Sequence, residues 1–342
     1  MTPDRFQAIT QKYAALRIAV VGDFCLDRYL DIDPGRREIS IETGLPVHNV
    51  VNVRGQPGGA GTIVNNLVGL QVGAIYPVGF AGDDAEGFEL CRALKIMPGV
   101  RLGHFFATEQ RRTFTYLKPL ITAPEKPPVE LNRFDFKNWT PTPAALQGWI
   151  ISALDYLSSH VDALVLLNQV DVPETGVVTA KVLQTVHELV AGRPDLLILA
   201  DSRRGLRNYP QVCFKMNSAE LNALTGCPVN AEMIELKTVA AALARKHGRN
   251  VFVTLSERGI LGASPEDEVE HVPALPIRGP IDIVGAGDAV TANLAAALGA
   301  GATLREAIEM ANAAASIVIH QLGTTGTASV PEIRALVETP RC

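Results

Sequence analysis

Cysteine is scarce in this chain. Five are scattered over 342 residues, at Cys25, Cys91, Cys213, Cys227 and Cys342, without the paired spacing of a zinc site or a disulfide framework. An odd, dispersed set is expected as reduced thiols in a cytoplasmic protein. The seven histidines are isolated as well, so a His/Cys metal site has no support. Long apolar runs are missing. The start is charged and polar and its first apolar run is only 18–21, so no signal peptide is expected. No segment reaches the roughly 18 uninterrupted apolar residues of a membrane helix. Dense Lys/Arg runs are absent and the net charge is −5, which leaves no footprint for nucleic acid. What the chain does have is 47% hydrophobic residues, enough core for one large α/β domain or two smaller ones.

Short β-branched runs predict buried strands at 17–22 (RIAVVG), 74–78 (AIYPV), 163–167 (ALVLL), 196–200 (LLILA) and 250–255 (NVFVTL). Helix-patterned stretches lie between them, at 59–70, 83–94, 175–189, 218–224 and 231–247. Strands alternating with helices predict a mostly parallel sheet covered on both faces, with ligands outside the carboxyl ends of the strands. Two segments, about 31–55 and 104–136, break the alternation with interleaved polar and apolar residues. They read as strand material inserted into the core, either a small β lid over one end or two unrelated hairpins.

Three segments carry chemistry. In DIVGAGD (282–288), Gly285, Ala286 and Gly287 leave the backbone accessible just before an Ala/Leu-rich helix. Unpaired N–H groups at a helix start favour an anion, such as a phosphoryl group in transfer. Asp288 stands beside this cradle, where a carboxylate can take the proton of an attacking hydroxyl. The plainer alternative is a capped helix after a tight turn. In GDFCLD, Asp23 and Asp27 follow a strand end and can accept from sugar hydroxyls; a capping role is the alternative. In QPGGAG, Gly58 and Gly59 allow close approach of a ligand, or serve as a hinge. No G-x-x-x-x-G-K-[ST] loop, third dinucleotide glycine or protein-kinase set is present.

In this order the three segments resemble the PfkB, or ribokinase-like, carbohydrate kinases, over about 17–331. The resemblance narrows through GDFCLDRY, REISIETGLPV, PGGAGTIVNNL, LNRFDF, ADSRRGLRNY, KMNSAEL and VTLSERGI to the heptose-7-phosphate kinase domain of bifunctional ADP-heptose synthesis enzymes. The chain ends soon after that region, so only the kinase half is expected.

The resemblance implies a single three-layer α/β/α kinase domain with a small β lid. It implies ATP, Mg²⁺ and a sugar or sugar phosphate as partners, and two subunits paired through the lid. Asp288 would be the base and the amides of Gly285, Ala286 and Gly287 the anion hole. Asp23, Asp27, Gly58 and Gly59 would line the sugar pocket, and Arg133 would reach a substrate phosphate. Asn217 and Glu220 would act near the ATP phosphates and Mg²⁺ through water. Thr254, Ser256 and Gly259 would lie along the nucleotide and Asn312 beside the adenine. A monovalent cation would sit on backbone oxygens near Asp282 and Val284.

The chain departs from that pattern in four places. Thr62 stands where the branch has Asn. NQVDVPE replaces an S-D-Y-G-K-G turn whose Lys and Asp belong near phosphates and substrate. Ile283 and Val284 replace two Thr, and Ser256 replaces a Gly. These changes keep two further readings open, a kinase of a nucleoside or other small alcohol and an altered binding relative.

Overall fold

A computed structural model describes residues 1–123 and 128–338. Cys342 and most of the Pro-rich turn expected inside 104–136 lie outside the described residues.

The largest sheet has nine strands. From one edge they run Val269–Val272, Ile260–Ala263, Val251–Thr254, Cys213–Asn217, Leu197–Ser202, Ala163–Asn168, Arg17–Gly22, Ala74–Gly82 and Phe105–Thr108. Ile260–Ala263 pairs antiparallel with both of its neighbours, Val269–Val272 and Val251–Thr254, and every other pairing is parallel. Alternation along each strand builds the core. Ile18 and Val20 enter one hydrophobic cluster with Ala163, Val165 and Leu167. Ala19 and Val21 enter the other with Leu164 and Leu166. A strand buried on both faces must be apolar throughout, which is why these runs show no polar alternation. Helices Ala60–Gly69, Ala286–Gly299 and Leu304–Val318 cover the first face, and Ala144–Ser158, Ala180–Gly192 and Met233–His247 cover the second.

The second sheet is the lid. Phe24–Ile39 pairs antiparallel with Pro46–Gly59 and parallel with Phe114–Ile121, which in turn carries Val129–Glu130 and Phe134–Phe136. The hairpin is longer than the insertion expected at 31–55. Phe105–Thr108, expected in the lid, extends the large sheet instead. Its apolar side chains explain the choice: Phe105 packs edge-on against Phe24 at 5.0 Å and Phe106 against Trp149 at 5.3 Å between centroids.

The two sheets meet at Gly22 and Asp23. Asp23 N donates to Leu167 O at 3.2 Å, and Ala60 N donates to Asp23 O at 3.0 Å. The chain therefore leaves the large sheet, traverses the lid hairpin, and returns to the same point to start helix Ala60–Gly69. No helix among the described residues is long and apolar enough to cross a membrane.

Candidate active site

The glycine turn has the geometry expected of an anion cradle. Gly285 adopts φ +83° as the N-cap of helix Ala286–Gly299, a left-handed conformation that glycine takes without strain. Asp288 is the third helical residue. Ala286 N donates to Ile283 O in a long 3.3 Å turn contact. Gly287 N and Asp288 N have no acceptor among the described residues, so both remain available at the positive end of the helix.

Beneath the turn lies a charged pair that sequence reasoning missed. Lys215, on strand Cys213–Asn217, donates to Asp201 Oδ2 at 2.7 Å from the end of the neighbouring strand, and both side chains are buried. Thr291, one turn further into helix Ala286–Gly299, donates to the same oxygen at 3.0 Å. A methyl group placed on Gly287 would stand 3.1 Å from Lys215 Nζ, so a side chain there would press the cation back by a few tenths of an ångström. The available signal was position: Asp201 and Lys215 end two adjacent strands in ADSRRG and KMN.

These charges tune Asp288. Burial pushes its carboxyl up to about 7, Asp201 and Asp27 push the same way, and Lys215 pulls it down. Burial opposes the charge on Lys215, and Asp201 more than compensates, leaving its pKa raised. A carboxylate near 7 accepts protons efficiently at neutral pH.

Asp27 is buried in the lid hairpin, close enough to Asp288 to shift it. Its partner is Lys118, which sits 2.8 Å from Asp27 Oδ1 and over the Tyr29 ring. Lys118 was also missed. Gly58 is where it is because its Cα lies against the Asp27 carboxylate, and Gly59 turns the chain at φ +57°. Asp23, expected along the sugar pocket, is turned elsewhere. Its buried carboxylate accepts from Val177 N at 2.6 Å, Gln169 N at 2.8 Å and Val170 N at 3.3 Å. It organises the NQVDVPE turn from below, because a carboxylate this deep needs donors and three amides supply them. Burial raises its pKa and those three donors oppose the shift. Thr62 is fully buried, its methyl toward Gly285 and its hydroxyl without a partner among the described residues.

On the other side of the cradle a cleft of about 570 Å³ brings together Thr254, Ser256, Gly259, Ala286, Gly287 and Asn312. Leu275, Pro276, Ile277, Ile281 and Ile283 give it apolar walls, a surface suited to a flat base. Asn312 is oriented by donating to Pro273 O at 2.9 Å. Ser256 stands at φ +52°, a conformation that disfavours a side chain.

Three expected contacts are engaged within the protein. Asn217 and Glu220 form a reciprocal capping box on helix Ser218–Thr225, which uses Asn217 Oδ1 and Glu220 Oε2. Burial raises the Glu220 pKa. Arg133 makes a bidentate pair with Asp135, at 2.6 and 2.9 Å, and stacks over Tyr116. The Asp282 carboxylate accepts from Val284 N at 3.0 Å and Gly323 N at 3.2 Å, so each of its oxygens is held by one backbone amide.

Comparison with known proteins places this geometry. Residues 16–331 match the pfkB family carbohydrate kinases. The chain is 31% identical over 324 residues to the bifunctional protein HldE of Gluconacetobacter diazotrophicus, covering 94% of this chain and 64% of that protein. It is 33% identical over 326 residues to HldE of Stutzerimonas stutzeri, covering 94% and 63%. The chain thus spans somewhat under two thirds of these relatives. Arabidopsis thaliana ribokinase, solved with ribose and ATP, superposes with a TM-score of 0.68 at 20% identity over 95% of this chain and 99% of that one. Escherichia coli phosphofructokinase-2, solved with fructose-6-phosphate, gives 0.66 at 17% identity over 94% and 98%. A ribokinase fold and a family match that takes in the lid, the cradle and the carboxylate beside it lead to one conclusion: the chain belongs to the pfkB family of carbohydrate kinases, phosphotransferases that act on sugar hydroxyls.

Proposed function

We propose that this kinase moves the γ-phosphoryl group of ATP to a hydroxyl of a sugar phosphate of the heptose 7-phosphate kind, with Asp288 as the base. The observation that carries the reading is Asp288 itself. It is the third residue of a helix whose free amides face the same space, with its carboxyl pushed up to about 7.

The nucleotide would lie in the cleft between Thr254, Ser256, Gly259 and Asn312, its phosphates reaching Gly285, Ala286 and Gly287. Lys215 would add positive charge beneath the cradle as charge spreads over the transferring group. The acceptor would lie between Asp27 and Asp288, above Gly58 and Gly59. Its hydroxyl would lose a proton to Asp288 as its oxygen attacks, and the lid would exclude competing water. Mg²⁺, when bound with the nucleotide, would neutralise the β- and γ-phosphates. Glu220 Oε1 and Asn217 Nδ2, the atoms their capping box leaves over, suit contacts to it and to the phosphates through water. A monovalent cation near Asp282 and Val284 would sit on backbone oxygens.

The heptose assignment draws on the HldE relatives. One observation favours an uncharged acceptor instead: Arg133 and Lys137 are already paired, Arg133 with Asp135 at 2.6 Å and Lys137 with Asp171 of the NQVDVPE turn at 2.7 Å. A panel of sugars, sugar phosphates and nucleosides assayed by ADP release decides. Turnover confined to sugar phosphates supports the proposal, turnover on uncharged sugars or nucleosides replaces it with the second reading, and no turnover on any acceptor removes it. The exposed apolar residues of the lid, among them Val47, Val50, Val51, Val53 and Phe134, support pairing of two lids in a homodimer. A monomeric mass at micromolar concentration would exclude that pairing.

A further inference from the structure

The lid and the cradle are joined through a third element. Gln56, in lid strand Pro46–Gly59, donates from Nε2 to Thr325 Oγ1 at 2.8 Å and accepts at Oε1 from Thr324 Oγ1 at 2.9 Å. Its Nε2 also lies 3.3 Å from the Tyr29 hydroxyl on the neighbouring lid strand. Both ends of the amide are therefore engaged by a loop 268 or more residues away in sequence.

That loop abuts the phosphoryl cradle. The Cα and Cβ of Thr325 would each lie 3.4 Å from a methyl group placed on Gly285. Two residues earlier, Gly323 N donates to Asp282 Oδ2 at 3.2 Å, while Asp282 Oδ1 accepts from Val284 N. Asp282 N donates to Ile319 O at 2.7 Å. The loop thus holds the segment leading into Gly285 by hydrogen bonds and bounds Gly285 itself by contact. Gln56 grips that loop from the lid with both ends of its amide, three residues before Gly59 and the start of helix Ala60–Gly69, and Arg54 on the same strand adds a longer contact from Nη1 to Gly323 O at 3.5 Å.

We infer that Gln56 is a positioning residue for phosphoryl transfer: through Thr324 and Thr325 it sets the cradle amides where charge develops in the transition state. The inference rests on reading Gly285, Ala286 and Gly287 as that cradle. Gln56 acts through the loop and not on the nucleotide. Its loss affects the in-flight phosphoryl group far more than ground-state ADP, because a displacement of about 1 Å in a catalytic group can lower a rate about 100-fold.

The test needs no acceptor. Binding of ADP, and of ADP with aluminium fluoride as a mimic of the transferring group, is measured by calorimetry with Mg²⁺. The proteins are the parent chain, Gln56→Ala, Thr324→Val/Thr325→Val, and the combination of all three changes. We expect ADP affinity within about twofold throughout. The gain in affinity on adding fluoroaluminate should fall about tenfold or more in Gln56→Ala, and no further in the combination, since both changes break one connection. An unchanged gain in Gln56→Ala, an equal loss of ADP affinity, or losses that multiply in the combination would each overturn the inference. Should Gln56→Ala fail to fold, Gln56→Met, which keeps the side chain's length and removes both its donor and its acceptor, takes its place with the same expected direction. A parent chain that binds ADP but gains nothing from fluoroaluminate refutes the cradle reading itself, a different result from a parent that gains and a variant that matches it.

Discussion

Lys215 Nζ lies 2.7 Å from Asp201 Oδ2, buried beneath the glycine turn that starts helix Ala286–Gly299. The pair joins the carboxyl ends of two neighbouring strands, and Thr291 ties the helix to it. One ion pair therefore locates the cradle relative to the sheet and supplies its nearest positive charge.

Lys215→Met leaves Asp201 buried without its cation, and loss of one partner from such a pair costs about 3–5 kcal/mol. Urea unfolding of the variant should show a loss in that range. Lys215 also holds down the pKa of Asp288, so any residual activity should need a higher pH than the parent. A rate profile with an unmoved midpoint would count against the coupling.

Asp288→Asn preserves shape and removes the carboxylate proposed as the base. General-base catalysis typically contributes about 10²–10⁴-fold, so phosphoryl transfer should fall by that much while ATP affinity stays within about threefold. ADP release and direct nucleotide binding measure the two quantities. Near-normal turnover in Asp288→Asn would end the assignment.

The pH dependence follows from the same carboxyl. Its folded pKa, about 7, is raised, and the base acts only when deprotonated. The rate at low substrate should climb about tenfold per pH unit below 7 and level off above it. The stability effect has the opposite sense. Between about pH 4 and 7 the folded state binds a proton that the unfolded state has released, so stability falls as pH rises through that window. Asp288→Asn should therefore gain more melting temperature over the parent at pH 8 than at pH 5. Equal differences at the two pH values would contradict the raised pKa.

Asp23→Ala leaves the amides of Gln169, Val170 and Val177 without their acceptor. Each unsatisfied buried group costs about 1–3 kcal/mol, so a loss of at least about 3 kcal/mol is expected in urea unfolding. Asp23→Asn, which keeps one acceptor oxygen, should lose less.

Arg133 is half exposed and paired with Asp135. Exposed ion pairs contribute about 0–1 kcal/mol, so Arg133→Ala should change stability by no more than that. If the acceptor carries a phosphate, its KM should rise about tenfold in this variant, since a charged hydrogen bond is worth about 1.5–3 kcal/mol, with the KM for ATP unchanged. An unchanged acceptor KM would remove Arg133 from the site.

The sequence was most informative where a single local rule applied. Runs such as RIAVVG and ALVLL had to be buried strands because every side chain after the exposed Arg17 is apolar, and 17–22 was expected with the limits the strand has. The glycine turn was readable for the same reason: glycines ahead of a helix, with an acid beside them, lie within seven residues. Strand Cys213–Asn217 and helix Ala144–Ser158 were not readable, the strand because Lys215 breaks its apolar run and the helix because it is apolar on nearly every side.

Pairings across long sequence distances were decided by the tertiary structure alone. Nothing near Asp23 in sequence says that its carboxylate accepts from amides about 150 residues later, and nothing near Asp27 names Lys118 as its partner. Asp201 and Lys215 look like two ordinary strand ends until the parallel sheet sets them side by side under Gly287. Composition and local pattern determined that this chain builds a covered, mostly parallel sheet and a glycine turn at a helix start. Which buried charges face one another depended on how the strands and lid pack, because burial and charge act through space and not along the chain.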